Sequence, residues 1–448
     1  MKIDAIILAA GKGKRMQTSF PKVLQEVAGK ALLQHVIDNT KELKNCQAHI
    51  VIGDQGALVK KSVCALKKSK WIKQAKQLGT GHAVKQTLKE LRPGSVALIL
   101  YGDVPLVRSS TMNTLIKSVG KTNLALLSFE QDSPRGYGRI IRSANGKVLG
   151  IVEEKDASKE QKKITEVNSG IMATGSSQLK KLLKGIKNQN AAKEYYLTDI
   201  VRLANENKIP VKAVKLAHKE EVLGANNLEE LNELERSYQS IKAKEFSKQG
   251  IKIADSARID FRGKVNIQRG SRIDINCIFE GTVEIGKNVT IGPGVIIKDS
   301  KIGDGTKIKA YSFIENAILE KNVVAGPYAH IGPDAHLAEN SEIGNFVEVK
   351  RSKIGKGTKA KHLAYVGDGQ VSEKVNIGAG TIFVNYDGKN KNKTRVGKGA
   401  FVGSNSSLIA PIKIGQNSMI GAGSVVTSDV PAERLALGRS RQRNIKKK

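Results

Sequence analysis

Apolar runs of strand length alternate with stretches of helical spacing over the first half of the chain. The clearest strands are residues 3–10, 48–53 and 96–101, and residues 32–45 carry apolar positions at helical spacing. Strands that alternate with helices predict an α/β domain with a largely parallel sheet. Ligands bind such sheets at the carboxyl ends of the strands, and Gly11 and Asp103 both fall at such ends.

A long helical pattern follows this half. Its apolar positions recur at steps of three and four residues, at Leu228, Leu231, Leu234, Tyr238 and Ile241. No Gly or Pro interrupts residues 228–248, so we predict one long helix that joins two halves. The predicted organisation is a first domain at residues 1–227, a helical linker at 228–248 and a second domain at 249–448.

From residue 251 onward the pattern changes, and an aliphatic residue recurs at every sixth position. The cleanest run is Val396, Val402, Leu408, Ile414, Ile420 and Val426, and a second run is Leu319, Ala325, Ile331, Leu337, Ile343 and Val349. A hexapeptide period over so many repeats predicts a parallel β-helix, in which these side chains point inward and the coils stack on one another.

Cysteine usage and hydropathy narrow the class of protein. Cys46, Cys64 and Cys277 are widely spaced and odd in number, which favours free thiols in a reducing cytoplasm over a disulfide framework or a zinc site. No signal-peptide pattern begins at Met1 and no apolar stretch approaches 18 residues, so neither a secretory signal nor a membrane span is expected. We therefore predict a cytoplasmic protein.

The net charge of +33 is large. It would suit a protein that binds polyanions, but the lysines are dispersed along both halves without interleaved aromatic residues or a nucleic-acid-binding motif. We therefore favour a lysine-rich surface that helps to attract nucleotide and sugar phosphates, and we predict no nucleic-acid partner.

A glycine-rich loop directly follows the first strand, where residues 8–15 read Leu-Ala-Ala-Gly-Lys-Gly-Lys-Arg. Glycines let backbone amides approach a phosphate, and Lys and Arg neutralise it. Met16 stands where a dinucleotide-binding loop needs a third glycine, and the Gly-Lys-Ser/Thr of a Walker A loop is missing. By itself the loop could be an ordinary strand-to-helix turn, but Pro21-Lys22-Val23-Leu24 follows it and strengthens the phosphate-binding interpretation.

These residues resemble the sugar-1-phosphate nucleotidyltransferases. Further matching segments are residues 77–83, 101–106, 136–139, 168–170 and 224–227, together with Glu153. With the β-helix pattern included, the chain resembles from end to end the bifunctional N-acetylglucosamine-1-phosphate uridyltransferase/glucosamine-1-phosphate acetyltransferases. The resemblance implies a Rossmann-like α/β nucleotidyltransferase domain followed by a left-handed parallel β-helix of hexapeptide repeats.

The resemblance also implies roles in the first half. Asp103 and Asn226 would hold Mg²⁺ through oxygen atoms, which a hard cation prefers, and Arg15 and Lys22 would be catalytic cations that neutralise phosphates. Gln74, Gly79 and Thr80 would recognise uracil. Gly138, Glu153 and Asn168 would hold the sugar. The other residues implied to line the UTP and UDP-sugar site are Leu8, Ala9, Ala10, Gly11, Tyr101 and Gly102.

In the second half, residues 344–350, 361–368, 375–381 and 385–388 match the acetyltransferase part of the family. The resemblance implies that His362 is the catalytic base, since an imidazole titrates near neutral pH and can take the proton of an attacking amine. Glu348 would orient His362 or the amine. Lys350, Tyr365 and Asn376 would bind glucosamine-1-phosphate. The residues implied to bind acetyl-CoA are Ala379, Asn385, Tyr386, Ser404, Ala422 and Arg439.

One position departs from the family pattern. The family carries Leu-Arg-Pro-Gly, whose Arg binds the sugar phosphate, and this chain has Gly332 where that Arg is expected. His330, Lys350, Arg351 and Lys361 are the candidates to compensate. The alternative prediction is a uridyltransferase alone, with the β-helix serving as a trimerisation scaffold.

The resemblance thus implies two consecutive reactions. Glucosamine-1-phosphate is acetylated by acetyl-CoA, and the product receives UMP from UTP with release of pyrophosphate, which gives UDP-N-acetylglucosamine for cell-envelope synthesis. It further implies Mg²⁺ as cofactor and a homotrimer assembled through the β-helix.

Overall fold

The computed structural model describes residues 1–11, 13, 16 and 20–447. The chain forms two compact units, Met1–Tyr238 and Gln239–Lys448. The division falls inside a helix, Leu228–Lys248, and not at either of its ends. The domain limits given above stay a prediction.

The first unit alternates strands and helices. Its elements, with the helix that ends it, are β1 (Ile3–Ala9), β2 (Glu26–Val27), β3 (Lys30–Ala31), α1 (Leu32–Lys41), β4 (Cys46–Ile52), α2 (Gly56–Ser62), β5 (Lys70–Lys73), α3 (Thr80–Lys85), β6 (Val96–Tyr101), α4 (Ser109–Ser118), β7 (Leu124–Glu130), β8 (Arg139–Arg142), β9 (Val148–Val152), β10 (Glu166–Gly175), α5 (Ser176–Lys184), α6 (Asp199–Glu206), β11 (Val211–Lys215) and α7 (Leu228–Lys248). Short 3-10 helices lie at Lys22–Leu24, Gln161–Lys163 and Lys219–Val222.

One large sheet organises this unit, with the strand order β11-β7-β10-β6-β1-β4-β5. The pairs β1–β4, β1–β6, β4–β5 and β7–β11 are parallel, and β10 runs antiparallel to both of its neighbours. Every residue of β1 is buried, and its apolar side chains are divided between two hydrophobic clusters on opposite faces of the sheet. The carboxyl ends of β1, β4 and β6 therefore meet at one edge of a rigid core.

The helix predicted over residues 32–45 is shorter in the structure. α1 ends at Lys41, the Leu43 amide donates to the Thr40 carbonyl over 3.1 Å, and Asn45 has a φ of 57°. This left-handed residue turns the chain into β4, so the apolar residues after Lys41 belong to a turn.

The second unit consists of short strands stacked in coils. They are β12 (Lys252–Ile253), β13 (Ile259–Ile267), β14 (Arg272–Ile273), β15 (Cys277–Ile285), β16 (Thr290–Ile291), β17 (Ile296–Lys298), β18 (Lys301–Ile302), β19 (Lys307–Ile308), β20 (Phe313–Glu315), β21 (Ala317–Leu319), β22 (Val324–Ala325), β23 (His330–Ile331), β24 (Ala335–Leu337), β25 (Glu342–Asn345), β26 (Glu348–Lys350), β27 (Lys353–Ile354), β28 (Lys359–His362), β29 (Tyr365–Gly367), β30 (Gly369–Val371), β31 (Asn376–Ile377), β32 (Ile382–Val384), β33 (Thr394–Val396), β34 (Phe401–Val402), β35 (Ser407–Ile409), β36 (Ile412–Ile414), β37 (Met419–Ile420), β38 (Val425–Val426) and β39 (Leu435–Ala436).

These strands form parallel ladders from coil to coil. Successive partners lie 17 or 18 residues apart in most coils, as in Thr290↔Lys307 and Arg272↔Thr290, and 16 apart in the last coil, as in Met419↔Leu435. At one coil the separation grows to 25, as in Gly369↔Thr394, because residues 386–393 leave the ladder as a loop. The sixth-position aliphatic residues are buried in one continuous core, as the hexapeptide period predicts.

Helix α7 shows a contact that the apolar pattern does not reveal. Gln239 is buried, its Nε2 donates to the Phe261 carbonyl over 3.1 Å, and its Oε1 accepts from the Phe261 amide over 2.8 Å. The amide satisfies both backbone groups of one strand residue, so a polar side chain is stable in this core. None of the helices in the described ranges combines the length and apolar character that crossing a lipid bilayer requires.

Candidate active sites

The first candidate site lies where β1, β4 and β6 end. The Gly102 amide donates to the Leu8 carbonyl over 2.9 Å, and the Gln74 amide donates to the Ile52 carbonyl over 2.9 Å. The side chain of Gln77 donates to the Ala10 carbonyl over 2.5 Å. These bonds hold the loops that follow the three strands side by side, which is the position expected for a ligand site in a parallel sheet.

Lys22, Asp103 and Asn226 converge at this edge. The Lys22 ammonium forms an ion pair with the Asp103 carboxylate and donates to Asn226 Oδ1 over 2.9 Å. Lys22 and Asp103 are largely buried, with 13% and 20% of their side-chain surfaces exposed, so the attraction is only weakly screened by solvent. Residues that are 81 and 204 positions from Lys22 in the chain thus form one charged cluster.

The glycine-rich loop approaches this cluster at Gly13. Gly13 has a φ of +58°, and a Cβ atom there would lie 2.8 Å from Lys22 Cβ. Only glycine allows both the left-handed backbone and this close approach. Gly11 and Ala10 follow β1 directly, and Ala9 ends it. Arg15, predicted to neutralise phosphate, lies outside the described residues.

The residues predicted to recognise uracil lie together after β5. Gln74 is buried, and its Nε2 lies 3.2 Å from the Gly79 carbonyl and 3.0 Å from His82 Nδ1. Thr80 begins α3, and its hydroxyl accepts from the Leu197 amide over 3.1 Å. A buried amide with fixed partners is suited to read the donor and acceptor pattern of a base.

The residues predicted to hold the sugar occupy the neighbouring strands. The Asn168 amide donates to the Gly138 carbonyl over 2.9 Å, and Asn168 Oδ1 is buried without a hydrogen-bond partner in the described part of the chain. A buried polar atom of this kind is costly unless a ligand satisfies it. Asn168 Oδ1 is therefore available to accept a hydrogen bond from a bound hydroxyl or amide group.

Glu153 and Tyr101 have perturbed acidities at the same place. Burial raises the pKa of Glu153, while a 2.8 Å hydrogen bond from the Thr198 hydroxyl partly offsets the increase. Burial, reinforced by the carboxylates of Glu153 and Asp103, raises the pKa of Tyr101. Groups with perturbed acidity beside a charged cluster are typical of functional sites.

The donor set fits Mg²⁺. Asp103 and Asn226 present oxygen atoms that could bind a metal ion, and the Lys22 ammonium that they both bind is itself a cation held at this point. Within the residues that the structure describes, no three His, Cys, Asp or Glu side chains form a metal centre by themselves. Two protein oxygen donors are typical of Mg²⁺ sites, in which substrate phosphates and water provide the remaining ligands.

The second candidate site lies in the β-helix at His362. The side chain is exposed, and its Nδ1 lies 2.9 Å from Asn345 Oδ1, one coil earlier. Since an amide oxygen only accepts hydrogen bonds, the proton of a neutral His362 lies on Nδ1 and Nε2 carries the lone pair. Glu348, predicted to orient His362 or the amine, has an oxygen 4.0 Å from His330 Nδ1, and its role stays a prediction.

Tyr365 and Asn385 belong to a network anchored by an ion pair. Arg351 donates from Nε and Nη2 to the two oxygens of Asp368 over 2.8 and 2.9 Å. Asn385 Nδ2 donates to Asp368 Oδ2 over 2.5 Å and lies 3.3 Å from the Tyr365 hydroxyl. The Arg351 guanidinium lowers the pKa of Asp368, so the carboxylate remains charged and keeps the network fixed.

The other predicted acetyltransferase residues lie on neighbouring coils. The Asp368 amide donates to the Lys350 carbonyl over 3.0 Å, and Asn376 shares a sheet with the strand of His362. Tyr386 is exposed in the loop at residues 386–393, where its hydroxyl donates to the Gly388 carbonyl over 2.7 Å. In the part of the chain described here, no hydrogen bond joins the Arg351 network to His362.

The residues predicted to bind acetyl-CoA follow one another along the coils. The Asn405 amide donates to the Ala379 carbonyl over 2.7 Å, and the Gly423 amide donates to the Ser404 carbonyl over 2.8 Å. Ala422 precedes Gly423, and a Cβ atom at Gly423 would lie 3.9 Å from Arg439 Cδ. Ala379, Ser404, Ala422 and Arg439 therefore line one side of consecutive coils, beginning one coil after His362.

The backbone at Gly332 leaves no space for the arginine that the family pattern carries. It has a φ of +121°, and a Cβ atom there would lie 1.8 Å from the Glu315 carbonyl oxygen. Any side chain would therefore require the coil to move. The position that lacks the expected positive charge therefore also lacks room for a side chain on the backbone of this structure.

The four candidates to compensate for that missing charge differ in their partners. Arg351 is bound to Asp368, and Lys361 pairs with Glu342 over 2.8 Å. His330 lies 3.6 Å from Glu315 and 4.0 Å from Glu348. The described residues give no carboxylate partner to Lys350, which makes it the strongest candidate for a bound phosphate.

Sequence reasoning missed Asn345, Asp368 and Gln77. Asn345 and Asp368 stand inside matching segments, but only the coil register shows that they contact His362 and Asn385. The available signal was the spacing of 17 residues in both pairs, which equals one coil of the β-helix.

Comparisons with known proteins identify the families that both halves of the chain match. Residues 5–165 match the MobA-like NTP transferase domain, residues 261–331 match the GMPPB C-terminal domain, and residues 316–351 and 393–428 match the bacterial transferase hexapeptide family of six repeats. Together with the parallel ladders, these matches confirm the predicted fold class, an α/β nucleotidyltransferase domain followed by a left-handed β-helix.

Relatives match nearly the whole chain. "Bifunctional protein GlmU" of Marinobacter nauticus is 48% identical over 443 residues, which cover 99% of this chain and 97% of that protein. The protein of the same name from Idiomarina loihiensis is 48% identical over 445 residues, with 99% and 97% covered. The one from Acinetobacter baumannii is 46% identical over 442 residues, again with 99% and 97% covered.

Proposed function

The chain belongs to the family of bifunctional GlmU proteins, and from this premise we propose that it catalyses two consecutive steps of UDP-N-acetylglucosamine synthesis. The β-helix unit transfers an acetyl group from acetyl-CoA to glucosamine-1-phosphate. The α/β unit then transfers UMP from UTP to N-acetylglucosamine-1-phosphate. The observation that carries the proposal is the convergence of Lys22, Asp103 and Asn226 at the carboxyl edge of the sheet.

In uridyl transfer, the phosphate of N-acetylglucosamine-1-phosphate attacks the α-phosphorus of UTP, and the bond to the leaving pyrophosphate breaks. No protein nucleophile is needed, so this chain contributes position and charge. Lys22 neutralises negative charge that develops on the phosphates. Asn168 Oδ1 accepts a hydrogen bond from the sugar, and the buried Gln74 amide reads uracil.

We propose Mg²⁺ as the cofactor, held by Asp103 Oδ and Asn226 Oδ1. When bound, the ion neutralises phosphate charge and orients the triphosphate. Lys22, which both ligands now bind, is close enough to serve the same phosphates.

In acetyl transfer, the amine of glucosamine-1-phosphate attacks the thioester carbonyl, and CoA leaves as the thiol. His362 Nε2 takes the proton that the amine loses, and the Nδ1–H bond to Asn345 keeps Nε2 available for it. Lys350 binds the sugar phosphate together with Tyr365 and Asn376. Asn385 and Tyr386 contact acetyl-CoA with the line of residues from Ala379 to Arg439.

A uridyltransferase with a merely structural β-helix is not favoured. The relatives named as bifunctional match both halves of this chain, and the 2.9 Å contact between His362 Nδ1 and Asn345 Oδ1 supports a base at His362 despite Gly332. We further propose a homotrimer assembled through the β-helix. The cytoplasmic location predicted from the unpaired cysteines stays a prediction.

Two assays on the purified chain test the proposal. Pyrophosphate release is measured with UTP, Mg²⁺ and N-acetylglucosamine-1-phosphate, and CoA release is measured with acetyl-CoA and glucosamine-1-phosphate. Asp103→Ala should abolish the first activity and spare the second, and His362→Ala should do the reverse. Absence of pyrophosphate release in the unaltered chain would refute the proposed uridyl transfer. Absence of CoA release would favour the alternative, a uridyltransferase whose β-helix is only structural.

A further inference from the structure

The first turn of α7 is closed by a reciprocal pair of side chains. The Glu230 amide donates to Asn227 Oδ1 over 2.8 Å, and Asn227 Nδ2 donates to Glu230 Oε1 over 3.0 Å. Asn227 precedes the helix and Glu230 is its third residue. Asn227 Oδ1 thus caps the helix by accepting from an amide that the helix leaves unpaired, while Glu230 binds the side-chain amide of the cap and not its backbone amide as in a capping box.

The second oxygen of Glu230 binds the residue before the cap. Glu230 Oε2 accepts from the backbone amide of Asn226 over 2.7 Å and from its side-chain Nδ2 over 2.9 Å. Two bonds from one residue to one oxygen leave the Asn226 side chain little rotational freedom. Charged acceptors make such bonds stronger than neutral ones.

This clamp decides which end of the Asn226 amide points toward Lys22 and Asp103. With Nδ2 tied to Glu230, Oδ1 is turned the other way, where the Lys22 ammonium donates to it over 2.9 Å. Rotation of the amide by half a turn would present an NH₂ group instead, which carries no lone pair for a cation. Orientation of the amide is therefore the condition for Asn226 to act as a ligand.

We propose that Glu230 is a positioning residue for the metal site, and that it acts by fixing Asn226 Oδ1 toward the cation. The inference rests on the proposed function, because it assigns a partner to a proposed metal ligand. It adds a role for the start of α7, which otherwise serves only as a helix terminus. Partners that orient metal ligands commonly change metal affinity by about 10- to 100-fold when they are removed.

The experiment measures Mn²⁺ binding to the full chain in the presence of UTP, by electron paramagnetic resonance of the free ion. Glu230→Ala should raise the dissociation constant of Mn²⁺ by about tenfold or more. Glu230→Gln, which keeps one acceptor oxygen, should raise it less. Glu233→Ala removes an exposed carboxylate from the same helix and should leave Mn²⁺ affinity unchanged.

Asn227→Ala separates metal positioning from helix stability. It removes the cap but leaves the clamp between Glu230 and Asn226, so it should lower the unfolding temperature without weakening Mn²⁺ binding. Equal Mn²⁺ affinity in Glu230→Ala and the unaltered chain would overturn the inference, and so would equal weakening in Asn227→Ala and Glu230→Ala. If the unaltered chain binds Mn²⁺·UTP but releases no pyrophosphate, the proposed function fails and the positioning role does not.

Discussion

Side-chain amides determine the geometry of both candidate sites. Asn226 faces the charged cluster, Asn168 offers a buried oxygen, and Asn345 fixes the tautomer of His362. An amide carries a donor and an acceptor on one short side chain, so it can hold a neighbour in one orientation without adding charge. Single substitutions at these residues should therefore alter function more than stability.

Asn345→Ala should lower kcat for acetyl transfer by about tenfold or more. Without Asn345, His362 can carry its proton on Nε2, and a base with no lone pair on that nitrogen cannot take the proton of the amine. Asn345→Asp keeps an acceptor for Nδ1–H and should retain more activity. The measurement is CoA release over a range of pH, with uridyl transfer as the control. An unaltered pH profile and kcat in Asn345→Ala would contradict the assigned tautomer.

Gly332→Arg tests whether the departure from the family is a missing charge or a different backbone. The new Cβ atom would collide with the Glu315 carbonyl, so we expect the unfolding free energy to fall by about 2 kcal/mol or more and acetyl transfer not to increase. Gly388→Ala is the control, because Gly388 also has a positive φ of +96° but open space around it. Gain of acetyl transfer in Gly332→Arg would show that the coil adapts.

The ionisation of the buried Asp4 makes the folding stability of the protein decrease at acidic pH. Burial raises the pKa of its carboxyl, but hydrogen bonds from His49, Ser95 and Arg92 outweigh burial and lower the pKa from 3.8 to about 2. Because the pKa of Asp4 is lower in the folded state than in the unfolded state, its ionised carboxylate stabilises the folded protein by about 2 kcal/mol above about pH 4. This contribution is lost as the pH falls toward about 2 and the carboxylate is protonated.

Asp4→Asn should accordingly reduce the unfolding free energy by about 2 kcal/mol at neutral pH. The difference from the unaltered chain should shrink below about pH 4, which denaturant titrations at several pH values would show. Asp54→Asn, at an exposed position, is the matched control. A constant difference down to pH 2 would contradict the low pKa.

At the scale of elements, the coil brings together residues about 17 positions apart. The ladder that contains β26 and β29 sets Arg351 beside Asp368, and through Asp368 it holds Asn385 near Tyr365. Two strands and a loop are thus linked by one bidentate ion pair. The pair is a positioning device, since the Arg351 guanidinium, although a candidate to bind the sugar phosphate, is already held by Asp368.

Arg351→Lys should disturb this device while it preserves the charge. A lysine cannot bind both oxygens of Asp368 in the same plane, so we expect a higher KM for glucosamine-1-phosphate or acetyl-CoA with a smaller change in kcat. Uridyl transfer should not change. Arg395→Lys, at an exposed arginine of the same unit, is the control, and equal kinetics in both variants would argue against a positioning role.

The elements themselves were largely predictable from the sequence, but their contacts were not. The burial of the aliphatic residues at every sixth position follows from the hexapeptide period, because these side chains point into the coil and fill it. The end of α1 at Lys41 was missed, since apolar residues continue beyond it and the turn depends on the left-handed Asn45. The Gln239–Phe261 contact was missed because a buried amide looks like a surface residue until its backbone partners are known.

At the scale of the whole molecule, lysines occur along both halves of the chain, but one short stretch is especially rich in them. Seven exposed lysines lie between residues 60 and 76, around the edge strand β5, at Lys60, Lys61, Lys67, Lys68, Lys70, Lys73 and Lys76. That interval contains no Asp or Glu, and among the described residues only Lys70 has a carboxylate partner, Glu90. Concentrated positive charge attracts anionic ligands at a distance.

We therefore expect kcat/KM for UTP to fall several-fold between about 50 and 500 mM salt, because salt screens long-range attraction. A variant with Lys60, Lys61, Lys67 and Lys68 changed to Glu should show a weaker dependence on salt, with kcat unchanged. Initial rates of pyrophosphate release at several ionic strengths provide the measurement. Parallel salt dependences in the two proteins would show that this cluster does not attract the nucleotide.

The ladders of the second unit restrict how its length can change. Each strand of a coil pairs with strands about 17 or 18 residues away. A one-residue deletion or insertion within a strand would therefore turn the side chains that follow it in that strand from the core to the solvent or the reverse. The loop at residues 386–393 shows the tolerated route, because eight residues project from a corner while the flanking strands keep their register. Insertions and deletions that survive in such a protein should therefore be found at corners, or should add or remove one complete coil.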